Sequence, residues 1–516
     1  MKVIQLLTPL RNLLLILLPF TLIACGQQDA GSTAPAVETA AVTEPAADVV
    51  DAPPSDKVGL TVAYEEASAL YYKGLQLADE LRAAEARVYF EQALEKDPGL
   101  AMAYVQLAGT SQNAEQFFSA VDGAQAAADT VSDGEKLVIQ ALVAGAHNDQ
   151  AAQQESLQEL VSAYPKDERA HFNLGNFLNG QQDYAGAIEQ YESAVAINPE
   201  FASPYNSMGY AYRAAGDFDQ AEEAFKKYLA LIPNEANPYD SYAELLMETG
   251  RYAESIEQYR KALEVNPGFV ASYIGISVNQ ALMEDGESAR ATLAEFSSKA
   301  RNNAEKRNAL FRTATTYLHE ENTDAAVAEC EKMFAIAEAD ENTLGMAGDL
   351  EYMGDIMLDA DDGSGAQEYY DRALSLRQAA DVNDAIKAQA GRTHLFKSTI
   401  AALVRDEIET ATGMVNDYRA QAEAGGNRFE RRRVHELTGY LALSNEDNEA
   451  EIAALGQANQ LNPVVLYFTA VAYKNAGNTD QAAVFADKAA NKNTLSPNLP
   501  FFRTEALKLL SEQASG

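Results

Sequence analysis

The feature that most constrains this chain is a pattern that returns three times in strict register between Glu168 and Gly268. Gly175, Ala187, Tyr191, Ala194 and Pro199 make one copy. Gly209, Ala221, Phe225, Tyr228 and Pro233 make the next, and Ala243, Ser255, Tyr259, Ala262 and Pro267 the third. The offsets within each copy are 12, 16, 19 and 24 residues. A period of about 34 residues reads as helix–turn–helix. In the middle copy the spacing predicts a helix over Ser203–Ala215, a turn at Gly216-Asp217 and a second helix over Asp219–Leu231, which Pro233 cannot continue. Gly209 and Ala221 are small where two antiparallel helices approach. Tyr205, Met208, Tyr212 and Phe225 fall at helical spacing on one face. A single hairpin cannot bury that face, so such units must stack as an array.

The same offsets recur in Gly74, Ala86, Phe90, Ala93 and Pro98, a first repeat over Ala67–Leu100. Two weaker units fit between, Ala101–Asp133 and Gly134–Asp167. After Gly268 the pattern loosens through Val270–Asn303 and Arg307–Met346. It sharpens in Ala347–Ala380, with Gly354, Ala366, Tyr370 and Ala373, and is hard to register over Asp381–Ala424. Ala424-Gly425-Gly426-Asn427 is the best internal break. Gly439, Ala458 and Pro463 mark one more unit, and Tyr473, Gly477, Ala482 and Ala489 the last. Leu499–Ser511 reads as an amphipathic cap. The expected fold is an all-α solenoid of ten to twelve helix pairs. Its segments are a regular array over 58–305, a degenerate helical region over 306–425 and terminal units over 426–516. A division into two curved halves near residue 305 is also expected.

These residues resemble the tetratricopeptide repeat, which places a small residue at position 8, Ala at 20, an aromatic at 24, Ala at 27 and Pro at 32. The resemblance implies a right-handed superhelix whose first helices line a concave face through positions 2, 5, 6, 9, 12 and 13. Carried onto this sequence, it nominates Tyr71 and Tyr72, then Phe172, Asn173 and Asn176, then Asn206 and Tyr210, then Asp240 and Glu244. Amides and phenols at that spacing suit an extended peptide. Positions 5 and 6 of these repeats hold no Lys or Arg, and Arg169 is the only basic residue at position 2. A clamp for a terminal carboxylate is therefore not expected.

The formal net charge is −38. That balance argues against binding nucleic acid, whose phosphates it repels, and favours solubility and basic partners. The two cysteines exclude a disulfide framework. Cys330 falls at repeat position 24 and reads as a small packing residue.

Cys25 belongs to a different setting. Lys2 and Arg11 flank the start of an apolar run over Leu13–Leu22, and Asn12–Cys25 is too short to cross a bilayer, which takes roughly 20 residues. The run ends in Leu22-Ile23-Ala24-Cys25, which resembles the bacterial lipobox. That resemblance implies a signal peptide over residues 1–24, lipidation of Cys25, and, with Gly26 following, an outer-membrane anchor, with the periplasmic side favoured over the surface. Gln27–Lys57, rich in Ala, Pro and acids, reads as a disordered tether within 25–57.

No catalytic constellation is present: no phosphate-cradling glycine loop, no Gly-x-Ser-x-Gly and no His-Glu-x-x-His. His147, His171, His319, His394 and His435 are never paired at metal spacing. The acidic stretch Asp359–Gly365 fails the register of a calcium loop and sits where the repeat needs a turn. Arg428, Arg431, Arg432 and Arg433 form one basic cluster, with acidic neighbours to pair with. The expected function is a non-enzymatic, cofactor-free scaffold. It would meet an envelope protein or peptide through the concave face, the membrane through the lipid anchor alone, and no nucleic acid. Capture of a glycan or other small molecule is the alternative, which the absence of Trp disfavours.

Overall fold

The computed structural model describes residues 56–514 apart from 81, 112, 426–427, 461 and 492–498. The apolar run, Cys25 and nearly all of the tether lie outside the described residues. Among those described there are 25 α-helices, one 3-10 turn over Ala128–Thr130, and no strand. The helices pair into twelve successive hairpins followed by one terminal helix. The chain is an all-α solenoid, as its repeats require.

The array forms two compact units that divide within the sixth hairpin. One holds the described residues up to Leu245 together with Gln258–Phe269; the other holds Leu246–Glu257 and Val270 onward. The first six hairpins are α1 (Glu65–Asp79) with α2 (Ala83–Lys96), α3 (Ala101–Gly109) with α4 (Ala114–Ala127), α5 (Asp133–Ala146) with α6 (Gln150–Ala163), α7 (Glu168–Gly180) with α8 (Tyr184–Ile197), α9 (Ala202–Ala215) with α10 (Phe218–Leu231), and α11 (Ala236–Glu248) with α12 (Tyr252–Val265). The helices expected over Ser203–Ala215 and Asp219–Leu231 are each one residue longer at the front.

The repeat signature has a direct steric cause. A Cβ built on Gly175 would lie 2.6 Å from the ring of Tyr191, and one on Gly209 would lie 2.7 Å from that of Phe225. Gly74 meets Phe90 at 2.7 Å in the same way. The ring at position 24 lies flat on the backbone of position 8, and no side chain fits between. Tyr191, Phe225 and Tyr259 are fully buried there.

The turns inside the hairpins share a second device. Asn148, Gln182, Gly216, Glu284, Glu321, Asp361, Glu446 and Gly477 all adopt positive φ, between 54° and 84°. The next residue in each case is Asp or Asn, and its side chain accepts a backbone N–H of the following helix. The acidic stretch at Asp359–Gly365 is one of these turns: Asp362 Oδ1 accepts from Gly365 N at 2.8 Å.

Within the first unit the array winds back on itself. Asp79, at the end of α1, pairs with Arg169 of α7 at 2.5 Å, and its carbonyl accepts from Ser203 of α9 at 3.0 Å.

The remaining hairpins are α13 (Val270–Leu282) with α14 (Gly286–Lys299), α15 (Asn303–His319) with α16 (Thr323–Ala339), α17 (Thr343–Asp359) with α18 (Gly363–Ala379), α19 (Asp384–Val404) with α20 (Ile408–Gly425), α21 (Arg428–Ser444) with α22 (Asn448–Leu455), and α23 (Pro463–Asn475) with α24 (Thr479–Ala490). The terminal helix, α25 (Leu499–Ala514), returns to α15, where Lys508 reaches Glu321 at 3.6 Å. From α15 to α21 the helices run 17 to 21 residues against 13 to 15 for most of the first unit. They carry one buried ion pair, Lys397 with Asp355 at 2.7 Å, and three half-buried ones, Arg307 with Asp349 at 2.7 Å, Arg377 with Glu351 at 2.7 Å and Arg392 with Glu430 at 2.8 Å. Cys330 is buried and unbridged, and burial pushes its thiol well above the usual range.

Candidate functional site

The first helices of the N-terminal unit carry all nine nominated groove residues, and the structure sorts them into three groups. In α1, Tyr71 is buried and stacks edge-on against Tyr72, whereas Tyr72 is 55% exposed. Burial raises the Tyr71 phenol, and the Arg169 guanidinium opposes that rise. Tyr71 is thus a packing residue, and only Tyr72 of this pair faces outward.

In α7, Phe172 packs on Tyr191 and Phe201 at centroid distances of 5.9 and 5.2 Å. Asn173 is half-buried and Asn176 exposed. Asn176 Oδ1 accepts from the Tyr191 hydroxyl at 2.9 Å. This contact expresses a rule of the repeat. A Tyr at position 24 lies over the glycine at 8, and its hydroxyl emerges at position 9. Tyr370 does the same to Asp355 at 2.8 Å. His171 is held through both ring nitrogens, by Gln190 Oε1 at 2.9 Å and Pro165 O at 3.1 Å, which leaves neither nitrogen for a metal ion.

The third group is the richest. Asn206 and Tyr210 lie one turn apart on α9, and Asp240 and Glu244 one turn apart on α11. The Tyr210 hydroxyl donates to Ser241 Oγ at 3.1 Å, and Arg213 donates to Glu244 at 2.9 Å while lying 4.7 Å from the Tyr210 ring centroid. The position-9 rule then fails in this repeat. The register partner of the Tyr259 hydroxyl is Glu244, which Arg213 has engaged. Tyr259 is fully buried with no hydrogen-bond partner for its hydroxyl, and Asn206 Oδ1 is also buried without one. Burial pushes the Tyr259 phenol well above its ordinary value, and Asp240 and Glu244 add to the shift. Buried polar atoms without partners are uncommon in folded chains. The hydroxyls of Tyr352, Tyr418 and Tyr440 are in the same state, so what sets this cluster apart is its gathering of acids, phenols and a guanidinium. Three of the nine nominated residues, Tyr210, Asp240 and Glu244, meet here, with Asn206 one turn before Tyr210 on α9. Arg213 and Tyr259 complete the group but were not nominated; an acid at position 9 facing a Tyr at 24 was the sequence signal for Tyr259.

Elsewhere the basic cluster is partly internal. Arg433 is buried with its guanidinium 4.7 Å from the Phe396 ring centroid, and Glu430 is bonded by Arg392. Among the described residues no set of three or more His, Cys, Asp or Glu could hold a metal ion, and no helix is long and apolar enough to cross a membrane.

The comparisons with known proteins fall on the same stretch. Residues 175–216 match a family model described as TPR repeat, and residues 206–268 match one described as tetratricopeptide repeat. Residues 175–268 are tetratricopeptide repeats. Several solved structures of repeat proteins are similar over part of the chain. A tetratricopeptide repeat protein from Parabacteroides merdae is 18% identical, covering 51% of this chain and 98% of its own, with a TM-score of 0.38. The pilF protein of Pseudomonas aeruginosa is 20% identical, covering 47% and 95%, with a TM-score of 0.28. YrrB, described as having an unusual peptide-binding site, is 15% identical, covering 38% and 97%, with a TM-score of 0.28. No curated protein sequence matches the chain. The tetratricopeptide signature places Asn206, Tyr210, Asp240 and Glu244 at positions 5 and 9 of consecutive repeats.

Proposed function

We propose that this protein is a non-enzymatic scaffold of a bacterial cell envelope that binds an extended peptide segment of a partner protein on the first helices of its tetratricopeptide repeats. The observation that carries the reading is the cluster in the fifth and sixth repeats, where Tyr210 and Arg213 of one first helix meet Asp240, Ser241 and Glu244 of the next. A peptide laid along these helices meets the half-buried Asn206, Arg213 and Glu244, which offer amide, guanidinium and carboxylate partners. The acids here, Asp240 and Glu244, favour a basic segment. In the same reading Cys25 carries the lipid anchor, a tether joins it to the array, and the repeats face the periplasm from the outer membrane.

The test is a crosslinked pull-down from membranes with the full chain, with Asn206→Ala/Glu244→Gln and with Cys25→Ser. The expected result is one stoichiometric envelope protein captured by the parent chain and lost in the double variant at unchanged helical content. Cys25→Ser should leave the membrane fraction. Undiminished capture by the double variant would place the site elsewhere. A thermal shift of several degrees with a glycan, and no protein captured, would replace the scaffold by ligand capture.

A further inference from the structure

The nine residues that precede α1 are not a loose lead-in. Asp56–Tyr64 has no helical residue before α1 and runs back over the starts of α3, α5 and α7. Its contacts follow in order. The Ala63 amide donates to Asp97 Oδ2 at 2.7 Å, and the Thr61 amide to Glu135 Oε1 at 2.8 Å. The Val58 amide donates to Asp167 Oδ2 at 2.9 Å. The Thr61 hydroxyl adds a bond to Glu135 Oε2 at 2.5 Å, and Lys57 pairs with Glu168 at 2.6 Å. At the far end the Asp56 carbonyl accepts from Lys166 N at 3.1 Å. Val58, Leu60 and Val62 are half-buried while Gly59, Thr61 and Ala63 are exposed, and Leu60 and Val62 pack on the core around Tyr71 and Phe90. A period of two with captured backbone amides is the way an extended peptide is held.

The three carboxylates are built to take such a segment. Each uses one oxygen at home and keeps another for the strap. Asp97 Oδ1 accepts from Gly99 N, and Asp167 Oδ1 from the Arg169 and Ala170 amides. Glu135 Oε2 accepts from Ser132 in the capping box of α5, which leaves Oε1 to the Thr61 amide. Later repeats differ. Asn198 and Asn266 accept from Glu200 N and Gly268 N at the corresponding loops, but their other terminal atom is an amide nitrogen, a donor. A ladder of charged second acceptors is thus confined to the repeats the strap covers, and charged acceptors make the stronger bonds.

We propose that the starts of α3, α5 and α7 form a second peptide-binding site, separate from the cluster in repeats five and six. It takes an extended segment of a partner with a basic residue at its leading end and apolar side chains at alternate positions. Residues 56–63 are its resident competitor. Given the anchor and tether proposed above, on which this consequence rests, a partner strand that displaces these residues would lengthen the tether. Besides the Thr61 hydroxyl and the Asp56 ends, recognition is by backbone amides, one cation and apolar side chains, so the site is selective for pattern more than for one sequence.

The experiment uses the full chain carrying Val58→Pro and Thr61→Pro, which removes two of the three amide donors. The probe is a fluorescein-labelled peptide, Ser-Asp-Lys-Val-Gly-Leu-Thr-Val-Ala-Tyr, titrated by anisotropy. The expected result is saturable binding at least tenfold tighter to the double variant than to the parent. It should be lost when the peptide's own Thr is Pro and unchanged by Asn206→Ala in the protein. Equal titrations for parent and variant, at equal helical content, would overturn the proposal. Should the double variant lose helical content, the parent chain decides. Hydrogen exchange over residues 56–64 is followed with and without a hundredfold excess of unlabelled peptide. Faster exchange of the Val58, Thr61 and Ala63 amides is expected; identical rates would overturn it.

Discussion

Hairpins α7–α12 and hairpins α15–α22 solve one packing problem with different materials. The first set keeps one constant period and packs small residues against rings, with partly buried charges in the Arg169–Asp79 and Arg213–Glu244 pairs. The second starts its first helices at Asn303, Thr343, Asp384 and Arg428, at wider and unequal intervals, and buries charges on them. Yet the crossing is unchanged. Gly354 lies under Tyr370 as Gly175 lies under Tyr191, at the same sequence offset in both. The additional residues stand outside the crossing. The stretch from the start of α17 at Thr343 to Gly354 exceeds the stretch from the start of α7 at Glu168 to Gly175 by about one helical turn, so the lengthened helix presents the same face to its partner. A repeat can therefore grow at its outer ends without losing its joint, and the added turn of α17, Thr343–Met346, holds none of that helix's buried acids. Asp349 and Glu351 lie in the part of α17 that precedes the glycine.

The largest effect that can break this comparison is at Lys397. Its Nζ meets both Asp355 oxygens at 2.7 and 2.8 Å, and all of these groups are buried. Lys397→Met leaves a buried carboxylate with only the Tyr370 hydroxyl, and we expect a loss of about 3–5 kcal/mol confined to the second unit. Adding Asp355→Leu should recover most of it, because the pair as a whole is replaceable by apolar packing. Hydrogen exchange resolved along the sequence checks both: opening spread equally over α1–α10 and α15–α22 would show that the two sets are not independent in stability.

The contrast also shows what was legible in the sequence. Five positions recurring three times in register were enough for the hairpins of residues 168–268, for the turn chemistry at Gly216-Asp217 and for the close approach at Gly209. Asp381–Ala424 resisted registration because a longer helix stretches the period between joints while the joint itself stays short in sequence. The candidate site was half visible. Asn206, Tyr210, Asp240 and Glu244 were nominated from register, but so was Tyr71, a buried ring packer, and register alone cannot separate a lining residue from a buried one. The strap was missed for a different reason. Its acceptors lie 34, 74 and 109 residues away, so nothing local marks it except the alternation of Val58, Leu60 and Val62.

A smaller effect sharpens the comparison through pH. Glu451 takes repeat position 20, where Gly439 sets the register and other copies hold Ala or Ser. It is fully buried, neither carboxylate oxygen has a partner, and burial pushes its pKa up to about 8. Glu436 is pushed up to about 7 by burial, against the pull of Arg433. Both values lie above the 4.5 of an ordinary glutamate, so between pH 4.5 and 8 the native state holds protons that the unfolded chain has released. The stability they contribute is complete below pH 4.5 and is lost as the pH rises through 7 and 8. Glu451→Ala should flatten that slope and stabilise the second unit by on the order of 2 kcal/mol at pH 8. A melt that rises from pH 5 to pH 8, or a variant with the parent's slope, would remove this explanation.

The smallest effect tests what the two sets have in common. Gln182, between α7 and α8, and Glu446, between α21 and α22, both hold φ near 60°, the conformation that Gly216, Gly250 and Gly477 supply without a Cβ. A non-glycine residue there costs about 1–2 kcal/mol, and the extra freedom of glycine in the unfolded chain returns roughly 0.5–1 of it. Gln182→Gly and Glu446→Gly should each raise stability by about 0.5–1 kcal/mol, seen as a small upward shift of the thermal transition. Because the turn, its left-handed residue and the following Asp cap are the same in both units, the two gains should be equal. A gain in one unit with a loss in the other would mean that the longer helices alter the turn as well, and the joint would no longer be the invariant part of the repeat.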